Sequence, residues 1–209
     1  MSAFAYPVAL DLTGRPCLVV GGGTIAERKV TGLVGAGARV TVVSPSLSPE
    51  LMRLATDGRF KWWPRAYAGG DVAGFFLVMV ATGDGAVNGE VAAEARARGA
   101  LVNCADDPGR CDFILPSVLR RGPVTVAVST GGASPIMARL VREEIEALLP
   151  DDCGALAEVV AGARRVLRAR GVPVGGDGWR DAVDAELRGL VAAGRAADAH
   201  ARLLERLGG

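Results

Sequence analysis

The sequence predicts an α/β fold: a parallel sheet wound with helices, then a short mixed α+β segment, then a C-terminal helical domain. Three observations carry that expectation. Strand-like and helix-like segments alternate through the first hundred residues. Three glycines, Gly21-Gly22-Gly23, separate the first strand-like run from the first helix-like run. The run Phe75 to Ala81 (FFLVMVA) is apolar throughout, as a strand covered on both faces must be.

Taken in order, 16–20 (PCLVV) reads as a short apolar strand ending at the glycines. Residues 24–35 read as a helix whose apolar residues are Ile25, Val30, Leu33 and Val34, with Gly37 as its stop. The β-branched run 38–43 (ARVTVV) is a second strand, 48–58 a short helix and 60–63 a third strand. After the 75–81 strand come an Ala-rich helix over 85–98 and a strand over 100–104 (ALVNC). The pattern changes near 113. Residues 123–129 (PVTVAVS) are a strand, TGGASP a loop, and 135–149 a helix that stops at Pro150. Beyond 151 two helices are expected, 156–170 and 179–207, joined by GVPVGGDG. The domain boundaries so read are 1–113, 114–150 and 151–209. The last stretch balances nine arginines against nine acids, a solvated helical bundle rather than a basic tail.

Composition narrows the function classes. Half of the 209 residues are hydrophobic, enough for a substantial core, which excludes compositional disorder. Lys+Arg is 24 and Asp+Glu 23, a net charge of +1, so no nucleic-acid partner is expected. Glycine, at 29 residues, is about twice its usual share and marks tight turns. No apolar run approaches the ~20 residues of a membrane span, and the start MSAFAYPVALDL, with Asp11 and no basic residue, is not expected to be a signal peptide. Cys17, Cys104, Cys111 and Cys153 are widely spaced with no CxxC, which suits a reduced cytoplasm and offers no zinc site. The sole histidine, His200, leaves no room for a His-based triad or a multi-histidine metal site.

The sharpest local signal is Gly21-Gly22-Gly23-Thr24-Ile25-Ala26, a G-x-G-x-x-A pattern between a strand and a helix. Gly21 allows the tight turn, Gly23 lets a pyrophosphate approach the backbone, and Ala26 lets helix and strand pack closely. Free N–H groups and the positive helix end then hold phosphates. This is the signature of a Rossmann-like parallel sheet, although a glycine-rich turn without a ligand reads the same way locally. The acid that usually holds the ribose is missing from Val42-Val43-Ser44-Pro45-Ser46; Ser44 or Ser46 would replace it, and no arginine follows to mark a 2′-phosphate, which favours NAD. A second cluster, Asn103 to Phe113 (NCADDPGRCDF), begins at a strand end, where ligands bind in open α/β sheets, and reads equally as an Asx-capped turn. A third, Ser129 to Pro135 (STGGASP), opens a helix with Ser134 as N-cap and Pro135 at N1; it is either a capped helix or a second anion-binding turn.

Together the three clusters resemble the precorrin-2 dehydrogenase family of siroheme biosynthesis, which includes standalone dehydrogenases, dehydrogenase–ferrochelatases and the N-terminal part of siroheme synthase. The resemblance rests on VVGGGTIAERKV (19–30), GARVTVVSP (37–45), VATGDGAVN (80–88), LVNCADDPGRCDFILPSV (101–118) and VAVSTGGASPIMARLVREEIE (126–146), collinear over about 7–150. The 151–209 tail matches only in being helical. The methyltransferase module of siroheme synthase is expected to be absent, since the sequence ends at Gly209.

The resemblance implies NAD⁺-dependent oxidation of precorrin-2 to sirohydrochlorin, followed in some members by insertion of Fe²⁺ or Co²⁺; no resident metal is expected. The family's essential aspartate falls on Asp106, the candidate base, a carboxylate serving where histidine is lacking. Adenosine and ribose contacts fall on Thr24, Ile25, Pro45 and Ser46, beside the glycine turn, Ala26 and Ser44, with Ala81, Thr82 and Asn88 lining the cofactor cleft and Asn103 counted among the cofactor-binding residues. Thr130 keeps the hydroxyl of a family serine; with Gly131, Gly132, Ser134 and Arg139 it forms the candidate tetrapyrrole site. Arg110, Arg120, Arg121 and Arg142 are further cations suited to the substrate's eight carboxylates. Arg28 and Lys29 read as surface or subunit-contact residues. The family's A-T-D-D becomes Ala81-Thr82-Gly83-Asp84, which loses one carboxylate. Members are homodimers that exchange the segment here at 114–150, so that segment is expected to be the dimerisation segment. Two other readings stay open: a non-catalytic NAD-sensing module, which has no reason to combine these clusters, and a dehydrogenase of another small substrate, which usually carries a catalytic Lys, His or Tyr outside the fold.

Overall fold

The computed structural model describes residues 6–105 and 107–208. The chain forms two compact units, the first running to Leu115 and the second beginning at Pro116.

The first unit alternates strand and helix: β1 (Pro16–Val20), α1 (Thr24–Gly35), β2 (Arg39–Val43), α2 (Pro49–Thr56), β3 (Lys61–Trp63), β4 (Leu77–Val80), α3 (Gly85–Ala97) and β5 (Leu101–Cys104). The strands form one five-stranded parallel sheet in the order β3-β2-β1-β4-β5. The predicted α/β class is borne out.

Alternate side chains of each strand enter opposite cores. Leu18, Val20, Val43, Val78, Val80 and Val102 pack on one face with Val91, Ala92 and Ala95 of α3. Cys17, Val19, Val40, Val42, Leu77 and Met79 pack on the other with Ala26, Val30 and Leu33 of α1 and Leu51 of α2. Each such Val or Leu contributes about 1.5–3 kcal/mol by leaving water. β4 is buried at all four positions because helices cover both faces, which is why its sequence shows no alternation.

The register aligns the carboxyl ends. Val20 pairs with Val43 and with Val80, Val43 with Trp63, and Val80 with Cys104. The turns after these strands therefore emerge on one edge. The strand order reverses between β1 and β4, so a crevice opens there.

The second unit holds a hairpin, β6 (Ser117–Arg121) and β7 (Val124–Val128), then α4 (Pro135–Leu148), α5 (Cys153–Ala169), α6 (Asp177–Ala182), α7 (Ala185–Ala192) and α8 (Ala196–Gly208). β6 was not expected from sequence. It pairs antiparallel with β7 across a two-residue turn in which Gly122 takes a φ of 54°. A Cβ on Gly154 would lie 2.7 Å from the Arg121 carbonyl, so this glycine lets α5 seat against the hairpin turn. The single helix expected over 179–207 is three helices. Asp184 caps α7 by accepting the Leu187 N–H, and Gly194, at a φ of 74°, ends it. Leu156, Val159, Ala163, Leu167, Leu187, Val191 and Leu203 form the core of these helices.

Candidate functional site

The glycine turn leaves β1 at the reversal point. Gly21 has a φ of 119°, and a Cβ there would stand 2.4 Å from the Ala81 carbonyl oxygen, so only glycine fits between the ends of β1 and β4. A Cβ on Gly22 would meet the Ser46 carbonyl at 2.1 Å and Ser44 Oγ at 2.6 Å. Gly23, the N-cap of α1, differs: a Cβ there would meet nothing within 4 Å. Among the described residues no side chain caps α1, which leaves first-turn N–H groups without a side-chain partner at the positive end of the helix dipole. Two glycines thus answer to protein packing, and the third leaves room for a ligand before a helix N-terminus. This arrangement fits a dinucleotide diphosphate. Ala26, fully buried, lets α1 pack closely on the sheet.

The cleft in front of the turn measures about 410 Å³. Its walls bring together Gly21, Gly22, Gly23, Ser44, Pro45, Ala81 and Thr82, as the sequence predicted, and add Ala66, Tyr67, Gly83, Asp84 and Val87. Thr24 and Ile25 are exposed at the start of α1. Ser44 is buried; its hydroxyl donates to the Ser46 carbonyl at 2.7 Å and its carbonyl accepts Trp62 Nε1–H at 3.0 Å. That proton is committed to the loop, whereas Ser46 is exposed.

Asn88 does not line the cleft. It is 1 % exposed, lies with Oδ1 2.5 Å from Thr82 Oγ1, and donates from Nδ2 to the Thr82 carbonyl. It braces the cleft wall from behind. Asp84 caps α3 by accepting the Ala86 and Val87 N–H groups. Gly83, where the family carries a second carboxylate, is exposed, and a Cβ there would meet nothing. Packing gives no reason for that loss.

Tyr67 was missed because nothing local marks it; it reaches the cleft from the long β3–β4 connection. Its hydroxyl donates to Glu94, which also accepts the Gly70 N–H and pairs with Arg98. Burial, together with the Glu94 carboxylate, raises the phenol well above its usual range, so it stays protonated. Cys17 sits deep in the sheet, and burial pushes its thiol up to about 11.

Asn103 lies apart from the nucleotide cleft. It walls a second cavity of about 270 Å³, with Ile25, Arg28, Lys29, Cys104, Ala105 and Leu115. Lys29 corrects the sequence reading. It is no surface residue: it is 7 % exposed, and its Nζ donates to Asn103 Oδ1 at 2.5 Å. The signal was present, because 26, 29, 30 and 33 share the buried stripe of α1. Asn103 Nδ2 donates to the Phe113 carbonyl at 2.9 Å. The buried Cys111 thiol accepts the Cys104 N–H at 3.1 Å and donates to the Cys104 carbonyl at 3.2 Å. Asp107 caps the short 3₁₀ turn Pro108–Arg110 and pairs with Arg110. Asp106, the candidate base, lies outside the described residues.

In the second unit, Thr130 Oγ1 accepts the Ser134 N–H and donates to the Ser134 carbonyl, both at 3.0 Å. Gly131 and Gly132 take positive φ, and Ser134 Oγ accepts the Met137 N–H. This turn is a self-bonded cap on α4. Of the arginines, Arg110, Arg121 and Arg142 are paired with carboxylates, whereas Arg120 and Arg139 enter no ion pair among the described residues. His200 lies on α8 with its ring beside Gly162.

An open parallel sheet with a glycine turn and a sterically open cradle at its reversal point defines a dinucleotide-binding protein. The chain belongs to the family described as putative NAD(P)-binding, which matches residues 8–117. A second family, described as sirohaem biosynthesis protein central, matches 121–148. Siroheme synthase 1 of Serratia proteamaculans is 42 % identical over 203 residues, covering 96 % of this chain and 43 % of that protein. Siroheme synthase of Methylococcus capsulatus is 43 % identical over 201 residues, covering 95 % of this chain and 42 % of its own length. The chain thus spans less than half of these curated relatives. A solved structure of SirC, precorrin-2 dehydrogenase, superposes with a TM-score of 0.79 at 27 % identity, covering 96 % of this chain and all of that one. The resemblance read from the five motifs is borne out, and so is the expectation of a nicotinamide dinucleotide. No helix among the described residues is long and apolar enough to cross a membrane.

Proposed function

We propose that the chain is an NAD⁺-dependent oxidoreductase that converts precorrin-2 to sirohydrochlorin in siroheme biosynthesis. The likeness to precorrin-2 dehydrogenase, which extends over all of that chain, carries this reading. The open cradle before α1 supports the cofactor side of it.

Bound there, NAD⁺ would supply the hydride-accepting chemistry. The first-turn N–H groups of α1 hold the diphosphate, and Gly23 keeps its approach open. Ser46 takes the ribose hydroxyls in place of the missing acid, and no cation among the residues lining the cleft would meet a 2′-phosphate. Thr82, braced by Asn88, keeps the wall of the cleft in place. Asp106 takes the proton lost from a pyrrole-type nitrogen, so one hydride and one proton leave together. Thr130, Gly131, Gly132, Ser134 and Arg139 contribute to holding the tetrapyrrole. Fe²⁺ or Co²⁺, where inserted afterwards, is a substrate.

The active form in this proposal is a homodimer. Support comes from α4, which leaves Ile136, Met137, Leu140 and Leu148 exposed at 72, 50, 45 and 82 %. Ile136→Asp is expected to shift sedimentation toward monomer; an unchanged dimer excludes this face. The four free thiols agree with a cytoplasmic setting.

The test is an anaerobic assay with precorrin-2, with and without NAD⁺, that follows NADH and sirohydrochlorin. Turnover is expected only with NAD⁺. Asp106→Asn is expected to lower kcat by about 10² or more while NAD⁺ still binds. A wild-type chain that binds NAD⁺ without turnover would move the assignment to a sensing module or another substrate.

A further inference from the structure

We propose that Lys29 is a positioning residue for the oxidation, a buried cation that clamps the end of β5 to the helix that receives the dinucleotide; the proposal rests on the functional reading above. Lys29 stands on α1, six residues beyond Gly23, and is 7 % exposed. Its ammonium donates to Asn103 Oδ1 at 2.5 Å. Asn103 is equally buried, and its Nδ2 donates to the Phe113 carbonyl at 2.9 Å, so lysine and carbonyl together fix which way the amide faces. One residue on, Cys104 is bound through both its N–H and its carbonyl by the Cys111 thiol. The end of β5 is therefore tied to α1 on one side and to the 108–111 turn on the other. The segment that begins there, at Ala105, leads to the candidate base.

Packing alone does not call for lysine. An ammonium is costly to bury, and an unbranched apolar side chain of similar length would fill the same volume. Lys29 also walls the 270 Å³ cavity with Asn103 and Ala105, with the exposed Arg28 at its side. Two cations, Lys29 and Arg28, therefore border one cavity at the end of β5. If α1 and the end of β5 slide against each other, hydride acceptor and base lose their mutual placement. A displacement of about 1 Å costs on the order of a hundredfold in rate.

The experiment uses the full chain and compares wild type, K29M, K29R, N103A and the K29M/N103A double variant. It reads kcat and KM for precorrin-2, Kd for NAD⁺ by calorimetry, and Tm. K29M is expected to lower kcat about tenfold to a hundredfold, with NAD⁺ Kd within about threefold of wild type, because the diphosphate cradle is untouched. K29R is expected to recover most of the loss by restoring the charge. The double variant is expected to lose less than the product of the two single losses, because the Lys29–Asn103 bond is broken in both. A wild-type kcat in K29M overturns the proposal, as do losses that multiply in the double variant. If K29M does not fold, K29Q takes its place; if neither folds, Lys29 is a stability residue and the proposal fails. Absence of turnover in the wild type overturns the functional reading itself, and this inference falls with it.

Discussion

Gly23→Ala separates folding from cofactor binding at a single methyl group. Gly23 has a φ of −90° and a ψ of −170°, extended backbone that alanine adopts without strain. Its Cβ would meet nothing within 4 Å, so no protein atom must move. Restricting the unfolded chain stabilises by about 0.4–1 kcal/mol. Alanine is a poorer N-cap than glycine by about the same amount. The two effects nearly cancel, and stability should stay within about 1 kcal/mol of wild type. The methyl group, however, stands in the cradle, where a phosphate must reach the backbone. Holding the phosphate off should cost about 1.4–2.8 kcal/mol, a ten- to hundredfold rise in Kd. Calorimetric titration with NAD⁺, paired with thermal denaturation of the same samples, reads both quantities. Gly22→Ala is the contrast: its Cβ falls 2.1 Å from the Ser46 carbonyl, so the 44–46 loop must shift, at about 1–3 kcal/mol of stability. If Gly23→Ala binds NAD⁺ within twofold of wild type, the cradle does not hold the diphosphate.

Two further outcomes follow from the second unit. Leu203 is fully buried among the C-terminal helices, and Leu203→Ala should cost about 2–5 kcal/mol in denaturant unfolding, with little effect on NAD⁺ affinity. The carboxyl of Asp184 is held far below its usual range by the Leu187 N–H and by Arg202 and Arg206. Because the folded value is depressed, its stabilisation is present above the unfolded value of about 4 and is lost as pH falls below that. Asp184→Asn should therefore lower Tm at neutral pH, and the gap from wild type should narrow below about pH 4. A gap that stays constant down to strong acid would show that the charge is not what Asp184 contributes.

The elements of the first unit were legible because their signals are local. Strands β1, β2, β4 and β5 are apolar runs, the α1 and α3 helices carry periodic small and apolar residues, and the glycine turn has a spacing that depends on its neighbours alone. The same holds for α4, with Ser134 and Pro135 at its start. Helix caps and φ values are settled within a few residues, so sequence suffices for them.

Tertiary structure decided the rest. Only Leu119 of β6 is buried, a pattern too weak to mark a strand until β7 pairs with it. The long C-terminal helix broke at Asp184, whose carboxylate is also held by Arg202 and Arg206 of α8, 18 and 22 residues away. Asn88 looked like a cleft residue and proved to be a brace, because Thr82 is folded back onto it. Lys29 looked exposed by chemistry and is buried by geometry, with Asn103, 74 residues away in sequence, accepting from its ammonium. The sequence determined the five-stranded sheet, the helices of the first unit and the turn that a dinucleotide needs. Which polar groups face a ligand and which hold the scaffold depends on partners distant along the chain, and packing alone brings those together.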